Sequence, residues 1–142
     1  MAFLNPETDL GTALAASTVF NPLLVVGTDI KFGPMRSPVE NGDAIPGIWL
    51  QSYGGQAPEP YLNASADGSY FRSMVQAIIR GGPDDYQGGI ALARNVRNAL
   101  HLKHVAPYVA WFATTSEPLY IGINEARQHE FTVNIRVEWV GV

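Results

Sequence analysis

The chain has 142 residues, a formal net charge of −4 and no cysteine. This length suits one domain, residues 1–142, whose core needs no disulfide or metal. The missing cysteines exclude thiolate metal sites and a cysteine nucleophile, and the negative charge argues against electrostatically driven binding to nucleic acid. No apolar run approaches the ~20 residues of a membrane-spanning helix and no secretory signal is legible, so we expect synthesis in the cytoplasm.

A first helix is predicted to begin at Asn5, Pro6 and Glu7. These residues provide a capping side chain, a proline at the first helical position and an acid at the positive helix end. The helix should end near Thr18.

The stretch 19–32 is rich in β-branched and aromatic residues, which predicts one bent strand or two short strands.

Two long loops are predicted on either side of a short strand. Prolines and an Asn-Gly pair give residues 35–46 loop chemistry throughout. The side chains of residues 48–53 alternate in the pattern of a strand. Residues 54–69 form a loop of about sixteen residues, longer than the ~12–15 that compact domains usually leave unstructured, and such loops are usually functional or ordered by a partner.

The centre of the chain predicts a strand, a turn and a helix. Apolar residues alternate over 70–80, and Gly81-Gly82-Pro83 then ends the strand. A helix should begin near Asp84 and continue to Leu100, because its apolar residues recur at helical spacing.

The last third predicts three more strands. Residues 108–115 are apolar on both faces, which indicates a strand interior to the sheet. Residues 119–123 are predicted to form a short strand. Apolar and polar residues alternate strictly over 129–140, which predicts a strand with one core face and one polar face. The chain therefore predicts an α+β fold: a mixed, mostly antiparallel sheet with two helices packed on one face and long inter-strand loops.

Few residues invite a chemical interpretation. His101 and His104 are one helical step apart, but they have no supporting third ligand and suit a helix C-terminus. Asp84 and Asp85 suit the start of a helix better than a catalytic pair, and we expect them to contact only their own helix end. We therefore predict no catalytic residue, no metal, no cofactor and no enzymatic activity.

Glycines 81, 82, 88 and 89 surround the central turn. They lack the lysine and the spacing of a phosphate-binding loop, and two acids lie where phosphate would bind. We expect them to allow tight turning and close packing of the helix on the sheet.

Several short segments occur in a fixed order along the chain. They are Tyr53-Gly54-Gly55 with Pro58-Glu59-Pro60-Tyr61, then Val75 to Arg80, then Asp85-Tyr86 with Gly88-Gly89 and Ala91-Leu92-Ala93, then Ser116 to Gly122, and finally Phe131 to Ile135. In this order and spacing, over about residues 5–140, the chain resembles the minor capsid or tail terminator proteins of long-tailed bacteriophages. The resemblance implies an α+β domain that forms a ring, commonly of six subunits.

The same resemblance implies a place and a set of partners. Such a ring caps the tail tube at the head-proximal end of the virion's tail. Its partners are other copies of itself, the tail tube protein and the head-tail connector proteins. DNA passes through the ring without specific binding, and no membrane is involved.

Ring assembly predicts where subunits meet. Head-to-tail contacts are well served by loops and sheet edges, so the loops 35–46 and 54–69 are the predicted joints. Exposure and turn context predict five subunit-contact residues, which are Tyr53, Pro58, Glu59, Tyr61 and Glu117. The alternative is that Tyr53 and Tyr61 cover their own core.

Other functions remain open at this point. A stopper or connector ring on the head side of the junction would also be small and oligomeric. A small ligand-binding domain or enzyme would use the long loop as a lid, and it predicts a deep pocket near residues 54–69.

Overall fold

The computed structural model describes residues 4–34, 39–40, 43–44, 46–60 and 69–141. The helices are α1 (Pro6–Ala16) and α2 (Tyr86–Leu100). The strands are β1 (Ile30–Phe32), β2 (Val39–Glu40), β3 (Asp43–Ala44), β4 (Gly47–Gly55), β5 (Glu59–Pro60), β6 (Ser69–Pro83), β7 (Ala110–Ala113), β8 (Leu119–Ile123) and β9 (Gln128–Gly141). No helix in these ranges is long and apolar enough to span a membrane.

Seven strands form one sheet in the order β1-β4-β6-β9-β7, with β5 paired to β6 and β8 paired to β9. Only the β1–β4 pair is parallel among the described pairs of this sheet. β9 pairs with β6 along one edge, while β7 and β8 share its other edge. The predicted α+β fold with a mixed, mostly antiparallel sheet is confirmed.

One face of the sheet carries the core and both helices. The register places Val75, Ala77 and Ile79 of β6 opposite Ile135, Val133 and Phe131 of β9. Because side chains alternate along a strand, these residues share a face. They join one buried cluster with Leu10 and Leu14 of α1 and with Ala93, Val96 and Leu100 of α2.

Each helix begins at a side-chain cap. The Asn5 Oδ1 atom accepts a hydrogen bond from the Thr8 N–H at 3.3 Å, and Asp85 Oδ1 accepts one from the Gly88 N–H at 2.8 Å. Each cap satisfies an N–H group that has no partner within the helix. Helix α2 therefore begins at Tyr86, just after the predicted start.

The opposite face of β6 and β9 carries paired charges. Arg80 is 3 % exposed; its Nε atom donates to Glu130 at 2.6 Å, and its guanidinium lies 4.9 Å from the Trp49 ring. Further along, Glu138 accepts a hydrogen bond from the Tyr70 hydroxyl at 2.8 Å. Burial, with a contribution from this bond, raises the pKa of Tyr70.

The predicted strand structure over 19–32 is mostly wrong, since only Ile30–Phe32 forms a strand. The carbonyl of Val25 accepts from the N–H groups of Thr28, Asp29 and Ile30, and the Val25 N–H donates to Asp29 Oδ2 at 2.9 Å. These bonds close a local turn, so the backbone groups that a strand would offer to a neighbour are already used.

Both predicted loops contain short strands. Within 35–46, β2 and β3 pair as an antiparallel hairpin. Within 54–69, β4 extends to Gly55 and β5 pairs with β6, while residues 61–68 lie outside the described residues. The two predicted loops are therefore shorter than expected in their described parts.

The predicted interior position of the 108–115 strand is also wrong. β7 lies at the end of the strand order and pairs with β9 alone. Its outer edge is covered by the preceding segment, because the Trp111 N–H donates to the Lys103 carbonyl at 2.9 Å. Cover from this segment explains apolar residues on both faces of an edge strand.

Close packing of α2 on the sheet depends on a pair of glycines. A Cβ atom added to Gly81 would lie 2.9 Å from Gly89 Cα and 3.1 Å from Gly89 N. Both are backbone atoms, so the helix would have to move. The expectation that glycines here permit close packing is confirmed at Gly81.

Gly81→Ala should lower the free energy of unfolding by about 1–3 kcal/mol, because the added methyl group overpacks this contact. Gly82→Ala is the matched control, since a Cβ atom there meets nothing within 4 Å. It should be neutral or stabilising by up to about 1 kcal/mol. Urea denaturation followed by circular dichroism measures both changes, and equal effects would contradict the proposed contact.

Candidate functional site

β8 is an edge strand whose apolar side chains are open to solvent. Leu119, Tyr120, Ile121 and Ile123 are each 47–52 % exposed, and none of the five residues of the strand is charged. In the described part of the chain β8 pairs only with β9, so its outer edge has no strand beside it. We call these four residues the β8 surface.

The turn after β8 holds the strand in position. Asn124 Oδ1 accepts from the N–H groups of Ala126 at 2.9 Å and Gln128 at 3.0 Å, which reverses the chain into β9. Gly122 has a φ of 127°, a conformation that favours glycine, beside the irregularity in the β8–β9 pairing. Local sequence therefore fixes β8 as one arm of a hairpin.

An ion pair ties this hairpin to α2. Arg127 Nη2 lies 2.7 Å from Asp84 Oδ1, and the hydrogen bond from this guanidinium lowers the pKa of Asp84. The expectation that Asp84 contacts only its own helix end is wrong, whereas Asp85 does cap the helix.

Aromatic side chains cover the inner side of β8. The rings of Tyr86, Tyr120 and Phe131 lie 5.4–5.7 Å apart, and the Tyr120 hydroxyl lies 2.8 Å from His129 Nδ1. Aromatic pairs at this separation stabilise each other beyond their buried area. This cluster packs β8 against β9 and the first residue of α2.

An open cleft of about 530 Å³ adjoins the start of β8. It lies between the end of α2 and the β7–β8 turn, and its lining is Arg97, Asn98, His101, Leu102, Ala113, Thr114, Thr115 and Ser116. No carboxylate is among these residues. The cleft therefore adds hydrogen-bond donors and positive charge beside the apolar strand.

Positive charge extends beyond the cleft. Residues 86–116 contain Arg94, Arg97 and Lys103 but no Asp or Glu. The acid that follows, Glu117, accepts a hydrogen bond from Arg94 Nε at 3.0 Å. Residues 86–116 are therefore a basic segment of an acidic chain.

A second set of exposed apolar residues lies on β1, at the opposite edge of the sheet, and in the segment between α1 and β1. Its members are 38–55 % exposed, and we call them the β1 surface: Val19, Leu23, Val25, Val26 and Phe32. The first 30 residues of the chain contain Glu7, Asp9 and Asp29 but no Lys or Arg. The next residue, Lys31, lies within β1, so this edge carries both signs of charge.

Three of the predicted contact residues lie beside β4 and β5. Tyr53 is 42 % exposed, and partial burial raises the pKa of its hydroxyl. Pro58 is exposed. Glu59 Oε2 pairs with Arg72 Nη1 of the same chain at 3.0 Å, and this hydrogen bond raises the pKa of Arg72.

Of the other two predicted contact residues, only Glu117 is among the described residues, and it lies elsewhere. Glu117 immediately precedes the buried Pro118 and the β8 strand, on the opposite side of the sheet from β5. Its side chain is 58 % exposed although it pairs with Arg94. Tyr61 lies outside the described residues. Subunit contact by these five residues stays a prediction.

The described residues include no group of three or more His, Asp or Glu that could hold a metal ion. His101 and His104 instead bind the backbone. The Ala113 N–H donates to His101 Nδ1 at 3.0 Å, and His104 Nδ1 lies 3.0 Å from the Val109 carbonyl oxygen.

Sequence reasoning missed the exposure of the β8 surface. Its signal is a run of uncharged residues, apolar at consecutive positions, where a half-buried strand would alternate with polar ones. The same run also fits a buried strand, so the pattern alone does not distinguish an open edge from a covered one.

The two backbone contacts predict opposite tautomers for His101 and His104. A ring nitrogen that accepts a hydrogen bond from an N–H group carries no proton, so neutral His101 should be protonated at Nε2. A ring nitrogen that faces a carbonyl oxygen must donate, so neutral His104 should be protonated at Nδ1. Nitrogen chemical shifts of the two rings above pH 8 measure this difference. The same tautomer at both residues would contradict the cleft geometry.

Comparison of the chain with known proteins adds no assignment to this geometry. No protein-family model matches the chain, and no curated protein matches it. The function proposed below therefore depends on the exposed strand edge, the charge distribution and the resemblance in the sequence.

Proposed function

We propose that this chain is a structural protein of the virion of a long-tailed bacteriophage. It forms a ring, with the six copies that the resemblance implies, which terminates the tail tube and provides the interface to the head connector. The protein acts through assembly and has no catalytic role.

The observation that carries this proposal is the open outer edge of β8. An exposed, uncharged, apolar edge strand is a template for pairing with another chain, and monomeric proteins usually protect such an edge with a charge, a proline or a covering segment. β7, its neighbour on the same edge of β9, is covered in this way by the segment that contains Lys103. β8 has no such cover among the described residues, which is expected of a surface completed by assembly.

A ring also needs two different surfaces on each subunit. A head-to-tail contact joins one patch to a different patch on the next copy, and it closes into a ring when the rotation per subunit allows. The β8 surface and the β1 surface lie at opposite edges of one sheet. They differ in residues and in backbone geometry, as such a contact requires.

Charge supports a role in which DNA passes through without being held. Proteins that grip DNA neutralise several phosphates with Lys and Arg, and their binding depends on salt for that reason. This chain has nine Lys and Arg residues against thirteen Asp and Glu residues. Among the described residues, five of its arginines already contact carboxylates of the same chain, namely Arg72, Arg80, Arg94, Arg127 and Arg136.

A neighbouring ring at the same junction, a stopper or connector on the head side, is the alternative that the open edge supports equally. An enzyme or ligand-binding domain would instead have a deep pocket near residues 54–69, of which 61–68 lie outside the described residues. The cleft described above is open to solvent and lies on the β7–β8 side.

Purified protein mixed with tail tubes that lack a terminator tests the proposal. We expect negative-stain images to show a ring on one end of each tube, and tube length to stay constant on further addition of tail tube protein. Ile121→Lys, which places a charge on the open edge, should abolish the rings.

Two results would contradict the tail terminator function. A protein that stays monomeric and ignores tubes would remove ring assembly itself. Rings that bind isolated head connectors but never tube ends would assign the chain to the head side of the junction.

A further inference from the structure

We infer that the cleft between the end of α2 and the β7–β8 turn binds a small organic anion through its carboxylate or phosphate group. Arg97, His101 and Ser116 hold the charged group, and Leu102 contacts the apolar part of the ligand. Ring assembly is not required for this binding.

Arg97 brings an uncompensated positive charge to the cleft. The five other described arginines each pair with a carboxylate of the same chain, whereas Arg97 has no such partner in the described part of the chain. Its Nε and Nη2 atoms donate to Asn98 Oδ1 at 3.1 and 2.6 Å. An amide carries no net charge, so this contact orients the guanidinium without neutralising it.

His101 adds a hydrogen-bond donor whose ring is held by β7. Because the Ala113 N–H donates to His101 Nδ1 at 3.0 Å, the proton of the neutral ring lies on Nε2. Nε2 has no acceptor among the described residues. The side chain is exposed and lines the cleft, so this N–H group is free to bind a ligand.

The β7–β8 turn provides further donors. The hydroxyls of Thr114 and Thr115 donate to backbone carbonyls of the same chain, which holds the turn in shape. The Ser116 hydroxyl and the N–H groups of Thr115 and Ser116 have no acceptor in the described ranges, and both residues line the cleft. Successive free N–H groups in a turn are a common element of anion sites.

The size of the cleft and its apolar wall indicate an organic ligand. Its volume of about 530 Å³ is in the usual range of small-molecule sites. Leu102 is 57 % exposed at the cleft and has a φ of 53°, in the left-handed region that is unfavourable for a residue with a side chain. Residues held in this conformation are concentrated at ligand sites. Leu102 and Ala113 therefore give the ligand an apolar contact beside the donors.

The end of α2 opposes an anion, but its effect is smaller than that of Arg97. A helix C-terminus carries roughly half a negative charge, and the guanidinium carries a full positive one. The acid that follows the lining residues, Glu117, already pairs with Arg94 at 3.0 Å. The balance of charge at the cleft is therefore positive.

Three small probes test the site. Butyrate has a carboxylate and an apolar chain, butyramide has the same chain without the charge, and inorganic phosphate has the charge alone. Each is titrated into the isotope-labelled protein while amide chemical shifts are recorded by NMR. We expect saturable shifts at residues 97–102 and 113–116 with butyrate or phosphate, and binding of butyramide weaker than that of butyrate by about tenfold or more.

The tighter of the two anions identifies the charged group that the cleft prefers. Absence of a saturable shift with both anions would overturn the inference. Equal binding of butyrate and butyramide would overturn it as well, because the charge would then contribute nothing.

Two substitutions of equal charge separate the cleft from the basic segment around it. Arg97→Gln should weaken anion binding by about tenfold or more, since it removes charge-assisted hydrogen bonds. Lys103→Gln is the matched control at an exposed residue that does not line the cleft, and it should bind like the unchanged protein. Equal weakening by both variants would indicate a general effect of net charge and contradict the site.

Leu102→Gly tests the apolar contact. Glycine suits the φ of this position, so the fold should be retained while butyrate binds more weakly and phosphate is unaffected. Unchanged binding of butyrate would remove Leu102 from the site. Circular dichroism checks the folding of each variant, and Arg97→Ala, with the best helix former, replaces Arg97→Gln should that variant unfold.

Discussion

The structure depends on the long antiparallel ladder between β6 and β9. The pairing runs from Ser69 opposite Gly141 to Pro83 opposite Gln128, with one irregularity near Arg80. Its alternation places one row of apolar residues toward both helices and a row of charged and amide residues on the other face. β4 and β5 pair with β6, β7 and β8 pair with β9, and β1 joins the sheet through β4.

The length of β9 explains why an open edge exists at all. β7 and β8 are four and five residues long, and they pair with successive parts of the fourteen-residue β9. The segment before β7 folds back over β7. β8 is followed at once by its hairpin turn, and no segment of the described residues covers it in the same way. In the described part of the chain, a core with both helices on it is thus combined with a sheet edge that has no neighbouring strand, and such an edge is a template for pairing with another chain.

Sequence reasoning succeeded where periodicity and local chemistry agree. The change of period across the turn at residues 81–85 identified β6 and α2, and strict alternation identified β9, because side-chain direction follows directly from backbone geometry. It failed at residues 19–32 and 110–113, where composition is that of a strand but tertiary contacts decide. A local turn uses the backbone of Val25, and a neighbouring segment hides the outer side of β7.

The exposed surfaces were the least predictable feature. Exposure of β8 depends on what the rest of the chain leaves uncovered, and the pairing of Asp84 with Arg127 joins residues 43 positions apart. The acids of residues 1–30 and the bases of residues 86–116 can be counted in the sequence. Tertiary structure nevertheless brings these two segments into contact, since Asp9 of α1 accepts a hydrogen bond from the Tyr108 hydroxyl.

Amide hydrogen exchange on the unchanged protein tests assembly through the open edge of β8 most directly. The assembled protein is compared with the same protein diluted until it dissociates. The account predicts that the backbone amides of β8 exchange more slowly in the assembled state, while those of β6 and α2 are unchanged. Equal exchange of β8 in the two states would contradict the account, because strand addition protects the backbone that it pairs.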